Sequence, residues 1–312
     1  MIMQNVAKAL ALFCLFAGVR SSAFADKPSL KAFSVRIQQG SQITAFFKKT
    51  QDLSSFSEKE FHLLWKVNQK SLRHLEIEFQ NSSSFVRGEV EDEKVLSAVI
   101  QYLQLSLLQV RQLATHSDWK EVKGHLEKWF LFAADFPYEE ASLVGLRFSG
   151  VVRSLLLDEM ERLQVKYKAD MAKEPMLRQW FLQVRAPWPV DRVIISESRR
   201  LLKPNLMSVA NAAAQAFQKN PYQTSESVLK KIKNGNRPEA EFLRQIWREA
   251  DILMMKTEMN RIGKMKLRLA LAEYQQIHSA LPPSSQELVK AGLLDQVPTD
   301  YLTGKALDLT SL

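Results

Sequence analysis

The chain has 312 residues, 46% of them hydrophobic and 25% charged, with 43 Lys and Arg against 34 Asp and Glu for a net charge of +9. This is ordinary globular composition, with enough chain to bury a core as one large domain or two smaller ones, and it gives no ground for disorder. A single cysteine, Cys14, excludes an internal disulfide.

In chain order, "MIMQNVAK" carries a positive charge at Lys8 and is followed by the apolar run "ALALFCLFAGV" and then by "RSSAFA". This reads as a secretory signal peptide, residues 1–25, with a small-residue cleavage site at Ala23 and Ala25, so the mature chain is expected to start at Asp26. Only eleven uncharged residues separate Lys8 from Arg20, against the roughly 20 that a membrane-crossing helix needs. Cys14 follows Phe13 inside the apolar run, which does not suit lipid attachment. The expected product is periplasmic or secreted, 287 residues long, with no transmembrane segment and no cysteine. It therefore has no thiolate nucleophile and no cysteine-based metal site.

Beyond the leader almost every segment has helical periodicity. "SEKEFHLLWKVNQKSLRHLEIEF" opens with Ser57 and Glu60 at capping-box spacing and sets Phe61, Leu64, Asn68, Leu72 and Leu75 on one face. Residues 92–116 repeat the pattern through Val95, Val99, Tyr102, Leu105 and Leu113. Asp118 suits the cap of a further helix carrying Val122, Leu126, Trp129 and Phe130. Pro137 is expected to separate that helix from a helical run of about thirty residues starting at Tyr138, in which no stop signal is visible. Gly145 and Ser149, four apart, suit the close approach of another helix. "SFVRGEV" at 84–90 reads as a short hairpin or a loop.

Two prolines in "RAPWPV" (185–190) forbid one regular helix across them, so a linker or corner is expected at 186–190. It divides a helical domain at 26–185 from a basic helical region at 191–312. Shorter helices follow, punctuated by Pro204, Pro221 and "NGNRP" at 234–238. A helix of about forty residues then begins near Pro238, with Gly263 as a candidate kink. The expected fold is all-α, an irregular multi-helix bundle or α-solenoid-like array with a short extended C-terminal tail.

Charge is uneven along this layout. Residues 26–174 balance at 21 basic against 21 acidic, residues 175–270 carry 18 against 8, and residues 271–312 carry 2 against 5. The densest basic runs are "SRRLLK", "KKIKNGNR" and "RIGKMKLR". Candidate binding residues for an anionic envelope polymer, lipid headgroup or acidic partner are Lys230, Lys231, Lys233, Arg237, Arg199 and Arg200. The plainer reading of the same residues is a set of solvated helix faces. Export argues against nucleic acid as the partner.

Chemical signatures are missing. His62, His74, His116, His125 and His278 stand at no metal-binding spacing, so no metal is expected and they read as structural or surface residues. No nucleophile elbow, phosphate loop or dinucleotide fingerprint occurs, and no cofactor is expected. "VIISESRRLLKPNLMSVANAAAQAF" (193–217) is similar to the region around the catalytic glutamate of lytic transglycosylases, exported helical enzymes in which that residue is a general acid. The resemblance implies Glu197 as the acid and Ser198 as its neighbour. The chain departs from the family in lacking its Gly-Leu-Met-Gln segment. Arg199 and Arg200 follow directly and favour the ionised carboxylate, opposite to what a general acid requires.

The last segment, "LRLALAEYQQIHSALPPSSQELVKAGLLDQVPTDYLTGKALDL", ends a long helix at a proline turn, adds a short Leu-rich helix and closes with a "P-x-D-x-x-x-G-K" loop. Tyr274, Pro282, Leu288, Leu293, Leu294, Pro298, Asp300, Gly304, Lys305 and Leu307 carry this pattern. Over roughly forty residues it resembles the C-terminal module of type II secretion pseudopilins and of exported bacterial proteins of unknown role, though the pilin-type N-terminal helix is missing. The residues alone predict the same layout. Ser284 and Glu287 are spaced to cap the short helix, Gly292 suits its end, and Leu293, Leu294, Val297 and Leu307 can fold the tail (271–312) onto the long helix. A structural terminus is expected, with a partner- or ion-binding loop at Asp300 as the alternative. The expected role is non-catalytic binding or scaffolding in the bacterial envelope, with an envelope protein or anionic polymer as partner. A cell-wall-acting enzyme and a peripheral polyanion or membrane-surface binder are the alternatives.

Overall fold

Two helices begin where a side chain takes over an amide proton that the first turn cannot satisfy. The Glu60 amide donates to Ser57 Oγ at 3.4 Å and the Glu121 amide to Asp118 Oδ1 at 3.1 Å, both at the expected caps. The structure, a computed structural model, describes residues 40–49, 57–81, 93–139, 143–174, 207–219 and 249–312, with Leu177, Ile195, Ser227 and Lys230. Among these residues the regular elements are eight α-helices: α1 (Gly40–Lys49), α2 (Glu58–Asn81), α3 (Glu93–His116), α4 (Trp119–Glu139), α5 (Leu143–Ala172), α6 (Met207–Lys219), α7 (Glu249–His278) and α8 (Ser285–Lys290). The fold is all-α. The tail contributes one antiparallel bridge, Thr299 to Ala306, and a 3₁₀ turn at Leu309–Ser311. The leader at 1–25, the segment 84–90, the corner at 186–190 and the turns at Pro204, Pro221 and 234–238 lie outside the described residues.

The chain forms two compact units. The first takes the residues up to Glu140 together with Ser154–Glu159 of α5, and the second takes Ala141–Arg153 and Met160–Leu312. In the first unit α3 is the hub and packs against α1, α2 and α4. Val99, Tyr102 and Leu105 of its expected seam are buried, but so are Leu96, Ile100, Leu103, Leu107, Leu108 and Val110, so the middle of the helix, residues 102–108, is enclosed on all sides. Phe61, Leu64, Asn68 and Leu72 of α2 and Val122, Leu126, Trp129 and Phe130 of α4 are buried at the expected spacing. Buried Arg111 of α3 donates to Glu159 Oε2 at 2.8 Å and to the Phe47 carbonyl at 3.3 Å, and its guanidinium lies 4.0 Å over the Phe47 ring. Both charges of that pair are out of water, so each depends on the other.

In the second unit α5 and α7 lie side by side. Arg147 grips Asp251 with two bonds of 2.8 and 2.6 Å, Arg153 reaches Glu258 at 3.1 Å, Arg261 reaches Glu161 at 3.2 Å, and Gln276 donates to the Ala169 carbonyl at 3.3 Å. Positions rise together on both helices, so the two run parallel. The charge order, basic–basic–acidic on α5 and acidic–acidic–basic on α7, suits only this direction. Reversing one helix would set Arg147 against Arg261 and Glu161 against Asp251.

Three expectations change. Pro137 does not end α4, which continues through it to Glu139. Proline's fixed φ is helical, and near a C-terminus it removes a single amide bond. The run after it is interrupted at Tyr167, whose φ of −113° and ψ of 23° leave the helical range although no Gly or Pro is near. Gly263 does not kink α7, which is continuous from Glu249 to His278. A Cβ there would stand 3.1 Å from both Leu307 Cδ1 and Pro298 Cβ. The glycine makes room for the tail.

Candidate functional site

The C-terminal module is built on α7 by a small apolar cluster and a polar clasp. Leu267 and Ala270 of α7, Leu288 of α8 and Leu307 of the tail are buried together, with Tyr274, Leu293 and Leu294 packed against them. α8 starts at Ser284, as expected, but the Ser284 side chain makes no capping bond; its carbonyl receives the Glu287 amide at 3.1 Å. At the other end Gly292 takes φ 71°, its amide donates to the Val289 carbonyl and the Leu293 amide to the Leu288 carbonyl. This is the paired bonding of a Schellman stop, with its usual apolar contact between Leu293 and Leu288. Ser285 Oγ donates to the Leu307 carbonyl at 3.1 Å and stitches helix to tail.

The clasp centres on Asn260 of α7. Its amide group donates to Asp300 Oδ1 at 2.6 Å while its carbonyl oxygen accepts the Tyr301 amide. Asp300 also accepts from the Leu302 amide at 2.8 Å and the Thr303 hydroxyl at 2.9 Å. Burial works to raise its pKa, but these donors outweigh it and hold the carboxyl below the usual range. The carboxylate is thus engaged by its own turn and by Asn260 of α7. Tyr301 is pushed up by burial. Burial also lowers the ammonium pKa of Lys256, one turn before Asn260 and 2% exposed.

Beside the module lies a groove of about 320 Å³. Its lining includes Met171 of α5 and Met259, Ile262 and Leu269 of α7, all buried, with the half-buried Leu293 and Leu294 of the module. Lys266, Glu273 and Asp295 are its charged residues. Leu302, in the tail turn, is 53% exposed.

Of the residues singled out from the sequence, Asp300 belongs to this site and Lys230 is exposed. Glu197, Arg199, Arg200, Lys231, Lys233 and Arg237 lie outside the described residues. The run "RIGKMKLR" is partly committed internally, since Arg261 pairs with Glu161 and Arg268 donates to the Leu312 carbonyl at 3.1 Å. His62 is an exposed partner of Glu58 at 3.4 Å, His116 is exposed beside Thr115, and His278 is exposed with its ring 4.2 Å from that of Tyr274. Among the described residues no group of three His, Cys, Asp or Glu is placed to hold a metal, and no helix is long and apolar enough to cross a membrane. Asn260, Met171, Met259, Ile262 and Leu269 were not singled out beforehand. The available signal was "NRIG", which sets a polar residue and a glycine three apart on one helix face. No family model, curated protein or solved structure matches the chain.

Proposed function

We propose that this is an exported, non-catalytic binding or scaffolding protein of the bacterial cell envelope, as the leader-like N-terminus suggests, and that it binds a protein through the second unit. The observation that carries the reading is the groove, lined by two long helices and by a module whose clasp carboxylate is held ionised by hydrogen-bond donors. An acid catalyst needs the opposite, a carboxyl kept protonated by an apolar cleft.

The test replaces exposed Gln296, on the groove, with a photo-crosslinking amino acid, and exposed Lys120 of α4 as control. Irradiated cells should give one discrete adduct with an envelope protein from position 296 and none from position 120. No adduct from 296, or release of wall fragments by the purified mature chain, would count against the reading. Fractionation and N-terminal sequencing check the leader: a soluble product starting at Asp26 is expected.

A further inference from the structure

We draw no further inference here: the strongest candidate, the surface patch at the end of α7 and the turn after it where Ile277 and Leu281 are 61% and 65% exposed, is a small apolar face, and nothing in the structure shows what covers it.

Discussion

The middle of α3, residues 102–108, is buried on every side, mostly by apolar contact, and Leu103, Leu105, Leu107 and Leu108 are fully buried. The C-terminal module meets α7 through four buried residues and depends for the rest on where single atoms sit: the Asn260 amide, the missing Cβ of Gly263, the left-handed backbone of Gly292. Burial on all faces tolerates small errors of placement, because apolar contact has no direction. A clasp made of hydrogen bonds does not. The difference teaches that the first unit should resist perturbation until its core or buried charge is damaged, whereas the module can be loosened by one atom while the helices beneath it persist.

The largest effects are therefore expected in the first unit. Glu159→Ala leaves Arg111 buried without its carboxylate and should cost about 3–5 kcal/mol, read by urea unfolding; Leu103→Ala should cost about 2–5 kcal/mol. A loss below 1 kcal/mol for both would mean that α3 is less enclosed than described. Asn260→Ala should come next, at about 1–3 kcal/mol. Its mark should be faster hydrogen exchange confined to the module's amides, with α3 protection unchanged.

Acid should act on the module in the same way. The folded pKa of Asp300 is depressed, so its contribution is complete above the unfolded carboxylate range and is lost as pH falls below about 4 toward the folded value. Protection of the module's amides, taken relative to the intrinsic exchange rate at each pH, should therefore fall on acidification below pH 4, and in Asp300→Asn it should already be reduced at neutral pH. Gly263→Ala sets a gain in helix propensity of about 1 kcal/mol against the tight contact with Pro298 and Leu307. Global stability should move by less than about 1 kcal/mol, with tail protection reduced. The smallest effect belongs to His62→Ala, which removes an exposed pair with Glu58 and should change stability by under about 0.5 kcal/mol.

Local features were legible in the sequence because they depend on neighbours in the chain. Ser57 and Asp118 at helix starts, the buried faces of α2 and α4, and Gly292 after α8 all follow from spacing over a few residues. The end of α4 was misplaced because one proline in a last turn is weaker than the helix around it. What spacing does not carry is pairing between distant segments. Nothing in "NRIG" says that Pro298 and Asp300 arrive there, and Gly263 reads the same as a kink or as a seat. Asp300 was recognised as the distinctive residue of its loop, but whether its carboxylate faces a ligand or its own turn depends on Asn260, 40 positions away.

The parallel seam of α5 and α7 has a consequence for how the chain acquires its structure. Its bonded pairs lie 100 to 107 positions apart, so none can form until α7 has been made and the intervening chain has returned to the starting end of α5. Contacts of such separation carry the loop-closure cost before any reward and lower folding rates. The first unit, with neighbouring helices packed around α3, carries less of that delay for its α1–α4 core. Refolding should show early protection of α3 and late protection of α7, with the module, which needs α7 as its base, last of all.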